Sequence, residues 1–168
     1  MELWDAYTRN GAKTGGVLVR GQKMWPGIYH LVCEVLVRHT DGSYLCMIRS
    51  REKENYPLYP ECTAGGSALM GEDAAECIHR ELLEETGIEC REFQEVARSV
   101  RERSSSLFRS FVCTVDWPKD QIRLQAGETE GYRWLSEGEF IELVSSGRMI
   151  PEQMERMAGF FREMGYLK

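Results

Sequence analysis

Several absences in this 168-residue chain each remove a class of protein. No two of its six cysteines form a C-x-x-C pair, so a zinc knot or dithiol redox centre has no spacing to build on. No apolar run approaches the length of a membrane span, so no membrane association is expected. Met1-Glu2-Leu3-Trp4-Asp5 has neither the basic start nor the apolar stretch of a signal peptide. These features predict a cytoplasmic protein with reduced cysteines, several acting as small apolar residues. An excess of basic charge is missing too: 21 Lys and Arg against 27 Asp and Glu give a net charge of -6. A nucleic-acid polymer is therefore not an expected partner, because binding one needs a basic face. A small phosphorylated ligand held by a few local cations is still compatible. Repeats, low-complexity tracts and linkers are also lacking, so residues 1–168 read as one domain.

What is present is an ordinary globular composition, 42% hydrophobic and 29% charged. Asn10-Gly11 is a turn signal between two short extended segments, residues 3–8 and 16–20, and predicts an N-terminal hairpin. Residues 28–39 read as a long strand with Leu31, Cys33, Val35 and Val37 on one face. Asp41-Gly42 turns the chain into a second strand at 43–50. Residues 51–60, polar and holding Pro57 and Pro60, read as a loop. A helix is predicted near 73–86, strands near 92–101, 107–116 and 130–135, and two C-terminal helices near 136–146 and 151–164. Mixed strands with interspersed and terminal helices suggest an α/β or α+β sandwich. The set Met154, Met157, Phe160, Phe161 and Met164 has helical spacing and reads as core.

The stretch with chemical content runs from Gly66 to Ile88. Asp73 and Glu76 have the spacing of a capping box, and Gly87 suits a left-handed C-terminal cap. Glu81, Glu84 and Glu85 stand at i, i+3 and i+4 and form one acidic patch. Ala75, Ile78 and Leu82 are read as an adjacent apolar stripe, which puts the patch at the edge of the buried face. Stability does not explain the patch. Like charges at this spacing repel, and anions in a last turn oppose the helix dipole. A local rule broken several times at one place points to function. A hard cation such as Mg²⁺ or Mn²⁺ would relieve the repulsion.

The whole stretch resembles the Nudix box, G-x5-E-x7-R-E-U-x-E-E-x-G-U, where U is a bulky aliphatic residue. Gly66, Glu72, Arg80, Glu81, Leu82, Glu84, Glu85, Gly87 and Ile88 fill every specified position. The resemblance implies a Nudix-type α/β/α sandwich with a mixed central sheet, an N-terminal hairpin and C-terminal helices. It further implies a hydrolase that cuts a diphosphate linkage in a nucleoside diphosphate joined to another group. On that basis Glu81, Glu84 and Glu85, with the Gly66 carbonyl, would hold Mg²⁺ or Mn²⁺. One of the glutamates would act as general base, and Arg80 would orient the carboxylates. Glu128 and Glu130 are candidates for an additional acid from a later loop. Arg49, Arg51, Lys53 and His30 are candidates for substrate contact, with a solvated basic loop the competing reading for the first three. The resemblance leaves a homodimer open.

The region before the box is similar to hydrolases neighbouring isopentenyl-diphosphate isomerase in sequence. That isomerase needs a cysteine just before the box, where this chain has Gly65, while Cys62 lies three residues earlier. It also needs several histidines, of which only His30 is matched. Hydrolysis is therefore the expected chemistry, with an isomerase-like enzyme and a non-catalytic nucleotide-binding Nudix domain as the rival readings. Signatures that would name the substrate are missing; no proline, for instance, lies between Pro60 and Pro118.

Overall fold

The computed structural model describes residues 1–168. Nine strands form a mixed sheet: β1 (Leu3–Thr8), β2 (Lys13–Val19), β3 (Ile28–His39), β4 (Tyr44–Arg49), β5 (Pro60–Glu61), β6 (Thr63–Ser67), β7 (Gln94–Arg101), β8 (Ser106–Val115) and β9 (Thr129–Leu135). Three helices pack on it: α1 (Ala74–Thr86), α2 (Glu137–Ser145) and α3 (Pro151–Glu163). The expected N-terminal hairpin is β1 and β2, with Gly11 at φ 86° in the turn. No helix is long and apolar enough to cross a membrane.

Strand β3 is the axis of the sheet. It pairs in parallel with β8 from His30 to His39 and antiparallel with β6 from Val32 to Leu36. Both of its faces are covered, so its sequence is apolar almost throughout. Leu31, Cys33, Val35 and Val37 meet Cys77, Ile78 and Leu82 of α1 in one core. Leu36 faces the opposite way, into a second core with Phe140, Leu143 and Val144 of α2 and Met157 and Phe161 of α3. The layers are therefore α1, sheet, and α2 with α3, the expected α/β/α sandwich. Cys62 lies in the second core, away from α1. In the C-terminal set only Met157 and Phe161 are fully buried, and Met164 is exposed.

Two differences from the sequence reading bear on the site. Residues 60–67 form the short strands β5 and β6, which carry no apolar alternation because glycine and polar residues fill them. The buried stripe of α1 is Ala74, Cys77, Ile78 and Leu82, not Ala75, which is exposed. Continued at helical spacing, that stripe runs through positions 81 and 85. Two of the three glutamates thus sit on the buried face itself rather than at its edge.

The start of α1 is fixed as its sequence predicts. Asp73 Oδ1 accepts from the backbone N–H groups of Ala75 and Glu76 at 2.8 and 2.9 Å, and Glu76 Oε2 accepts from the Asp73 N–H at 2.8 Å. Gly87 closes the other end at φ 75°. Asp73→Ala should lower stability by about 1 kcal/mol, or roughly 2–4 °C in Tm, while leaving turnover near wild type. Thermal melts and initial rates on the same preparation check this; an unchanged Tm would show that the capping box does not limit stability.

Candidate active site

The acidic end of α1 rests directly on β6. Gly65 and Gly66 make that approach possible. An added Cβ at Gly65 would overlap the Cys33 carbonyl oxygen and lie 2.7 Å from Glu34 Cα. One at Gly66 would overlap the Glu81 carboxylate and lie 2.6 Å from its Cδ. No side chain fits at position 65, which removes the cysteine an isomerase would place there. With glycine at both positions, Glu81 and Glu85 lie against strand backbone, and the Gly65 N–H donates to Glu85 Oε2 at 3.1 Å.

Arg80 organises the rest. Its Nε and Nη2 donate to the two oxygens of Glu72 at 2.7 and 3.0 Å, a bidentate pair. Nη2 also reaches the Ser67 carbonyl at 3.1 Å, while Nη1 donates to Glu81 Oε1 at 2.7 Å and Glu84 Oε2 at 3.3 Å. Glu72 in turn accepts from the Leu69 N–H at 2.8 Å. One guanidinium therefore straps the loop before the helix to the helix and aligns two of its carboxylates. Arginine's fixed fork of donors suits this, and a lysine could not replace it.

These residues surround an open hollow of about 410 Å³. Gly65, Gly66, Arg80, Glu81, Glu84, Glu85 and Glu128 line it, as do Glu2, Trp4, Arg20 and Lys53. Five carboxylates there face three cations. Glu128 pairs with Lys53, and Glu2 with Arg20 at 2.8 Å. Burial, then the charges of Glu61 and Glu81, hold the Glu85 carboxyl well above the usual carboxylate range. Burial also raises Glu81, despite Arg80 beside it. Glu84 is the open member, its side chain 47% exposed against 14% for Glu81.

The other sequence candidates fall outside this hollow. Glu130 is bound to Arg51 by two side-chain contacts of 2.8 and 3.0 Å on the exposed surface. Arg49 forms a bidentate pair with Glu61 at 2.8 and 2.9 Å. His30 is buried, stacks on Trp4 with ring centroids 4.4 Å apart, and contacts the Ser105 carbonyl through Nδ1 at 3.1 Å. It backs the hollow only through Trp4, and burial lowers its pKa. Sequence reasoning missed Glu61, whose charge acts on Glu85, and the hairpin residues Glu2, Trp4 and Arg20. Nothing in their local spacing marks them, because they reach the site through strand pairing.

The donor set is made of carboxylate and carbonyl oxygens, desolvated and short of positive charge. That chemistry fits a hard divalent cation. No three His, Cys, Asp or Glu side chains converge as a ready-made cage, since Arg80 draws Glu81 and Glu84 towards itself. Holding a cation would require those two side chains to turn.

The raised Glu85 carboxyl gives a stability prediction. Where folding raises an acid's pKa, stability is lost as pH climbs from the unfolded value through the folded one. Glu85→Gln removes that penalty while keeping an acceptor for the Gly65 N–H. The metal-free variant should therefore melt above wild type at neutral and higher pH. The gap should close as pH falls into the ordinary glutamate range. Melts of chelator-treated protein across pH test this, and a wild type more stable than the variant at neutral pH would refute it.

A family model described as the NUDIX domain matches residues 29–156. An uncharacterised Nudix hydrolase of Listeria monocytogenes is 33% identical over 151 residues, covering 90% of this chain and 89% of the relative. A protein of Deinococcus radiodurans shares the fold with a TM-score of 0.71 at 19% identity, over 92% of this chain and 96% of its own. A bifunctional NMN adenylyltransferase/ADP ribose pyrophosphatase of Francisella tularensis has a TM-score of 0.61 at 19% identity, over 84% of this chain and 42% of its own. At these identities the solved structures speak for the fold alone. The family match and the Listeria relative go further, because the matched span contains the whole glutamate helix and the glycines beneath it. The chain belongs to the Nudix hydrolase family, whose members are generally pyrophosphohydrolases acting on nucleoside diphosphate derivatives.

Proposed function

We propose that this protein hydrolyses the diphosphate linkage of a nucleoside diphosphate joined to another group, with Mg²⁺ or Mn²⁺ as cofactor. One observation carries the reading: five carboxylates and three cations share a hollow whose floor is backbone. A diphosphate brings further negative charge and would be repelled there unless a cation accompanied it. Glu81, Glu84, Glu85 and the Gly66 carbonyl would hold the cation, with Glu128 as the additional acid. A divalent ion so placed neutralises the phosphate oxygens and lowers the pKa of a bound water.

The chain's own residues have separable tasks in this reading. Glu85 is held against β6 by the Gly65 N–H, and Glu81 lies beside it, turned towards Arg80 until a cation competes for it. Arg80 keeps Glu81 and the preceding loop in register through Glu72. Glu84, the most open of the three, is the group able to take a proton from the attacking water and release it to solvent. Lys53 and Arg20, on the rim, are placed to meet phosphate oxygens once freed from Glu128 and Glu2. Such pairs are weak where solvent reaches them, so a phosphate could compete for either cation.

Two measurements test the reading. Turnover of nucleoside diphosphate derivatives should vanish in excess EDTA and return with Mg²⁺ or Mn²⁺. Glu84→Gln, which keeps size and removes a charge, should lower kcat by at least a few hundredfold, which corresponds to about 3.5 kcal/mol or more of transition-state stabilisation. Full activity in EDTA with metal-free protein, or near-wild-type turnover in the variant, would defeat the mechanism.

A further inference from the structure

The six cysteines, scattered in sequence, meet in space as three contacting pairs: Cys33 with Cys77, Cys46 with Cys62, and Cys90 with Cys113. All six are free thiols. One of these pairs is set by strand register. Strand β4 pairs with β5 at Met47–Glu61 and Ile48–Pro60, so one step further along Cys46 stands directly opposite Cys62. Directly opposed residues point to the same face, and both cysteines lie in the second core. The Arg49 N–H donates to the Tyr59 carbonyl at 3.0 Å, which makes residues 49 and 59 a hydrogen-bonded pair. By alternation, residues 46 and 62 are the non-hydrogen-bonded kind, with Cα atoms roughly 4.5 Å apart. A disulfide spans Cα separations of about 4.4–6.8 Å.

The pair is also within reach of a small oxidant. Cys46 is 3% exposed and lines an open hollow of about 330 Å³ whose polar lining is Arg133, Arg148, Glu139 and Glu142. Cys33 and Cys77, by contrast, are 0% exposed. The Cys62 thiol donates to Cys46 and lowers its pKa; burial opposes this, and the charge of Arg133, opposite Cys46 on β9, assists it. The same contact and burial keep the proton on Cys62. Cys46 is therefore the nucleophile of the two, and Cys62 is the thiol placed to close the bond.

The chain between them gives such a bond a consequence. Residues 50–59 leave the ladder as a loop that brings Lys53 to the acidic hollow. The base of this loop is narrow, because β5 is two residues long. The loop is strained as well: Tyr56 and Leu58 have φ of 51° and 62°, in the left-handed region that non-glycine residues avoid.

We propose that Cys46 and Cys62 are a redox modification site, closed by hydrogen peroxide into a reversible disulfide that clamps the base of the Lys53 loop. The Cys46 thiolate attacks one peroxide oxygen and breaks the O–O bond; the departing hydroxide takes a proton and leaves as water. The Cys62 sulfur then attacks the Cys46 sulfenic acid, forms the S–S bond and releases a second water. Two thiols are oxidised and one peroxide is reduced to two waters. The bond itself is independent of the nucleoside diphosphate reading; only the meaning of a stiffened Lys53 for phosphate binding rests on it.

The test treats reduced wild-type protein with a small excess of hydrogen peroxide, then blocks free thiols and maps disulfides by mass spectrometry of a non-reducing digest. The Cys46–Cys62 cross-link should be the main product, and dithiothreitol should reverse it. Closing a loop of this length should raise Tm by roughly 5–10 °C. Amide hydrogen exchange across residues 50–59 should slow, with little change in α1. Cys62→Ala should abolish both the rise in Tm and the slowed exchange. Mapping on wild type needs no variant to fold. A main cross-link at Cys90–Cys113 or Cys33–Cys77, oxidation confined to the more exposed Cys90, or a Cys46–Cys62 bond that leaves Tm and loop exchange unchanged would each overturn the proposal. None of these readouts uses a nucleotide, so failure of the proposed hydrolysis would leave the site standing, and failure of the cross-link would leave the hydrolysis standing.

Discussion

The close seating of α1 on β6 is the contact from which the rest of this site follows. Two glycines let helix and strand approach with no side chain between them, and the strand paired beside β6, β3, leaves Gly65 no room for a Cβ. A helix packed that tightly must bury whatever its inward positions carry. Here they carry Ile78 and Leu82, then Glu81 and Glu85. The first pair stabilises by roughly 2 kcal/mol each as buried aliphatic side chains. The second pair opposes folding, because a carboxylate loses hydration and gains a like-charged neighbour. The same packing therefore supplies stability at one end of the helix and loses some of it at the other.

The loss is contained by geometry rather than by neutralisation. Arg80 is the sole cation within reach of Glu81 and Glu84, and it spends its best contacts on Glu72, outside the hollow. That choice has a mechanical consequence. The bidentate pair with Glu72, closed by the Leu69 N–H, fixes the loop that leads into the helix. Glu85 has only the Gly65 N–H as a donor. A site that satisfied each carboxylate with its own arginine would be more stable and would have no charge left for a cation.

Much of this was legible in the sequence, and the limits of legibility have physical causes. The three-layer sandwich follows from period-2 and period-3.6 patterns, which report burial directly. The box glutamates are close in sequence because they share one helix, so their spacing alone places them together. Two things were hidden. The register of the buried face was misjudged by one position, at Ala75 instead of Ala74, because a glutamate on an inward position disguises the stripe. Glu61, Trp4 and Arg20 were invisible because strand pairing, not spacing, brings them to the hollow. Similarly, Arg49, Arg51 and Lys53 look equivalent along the chain, but β4 ends at Arg49 and the irregular turn after it sends Lys53 to the hollow and Arg51 to the surface, while Arg49 pairs with Glu61.

That last divergence bears on how one strand can serve two compartments. β6 presents its backbone to the carboxylate hollow and to the hollow beneath α3, and at Gly65 the partition is one residue thick. A side chain there would do more than displace Glu34 and Cys33. It would also intrude on the hollow beneath α3, which Gly65 helps to line. The charges on either side also communicate across it, since Glu61, held by Arg49 in the second compartment, is the strongest electrostatic influence on Glu85 in the first. The glycine that allows the helix to press its glutamates onto the sheet is thus also a shared lining residue of the two hollows.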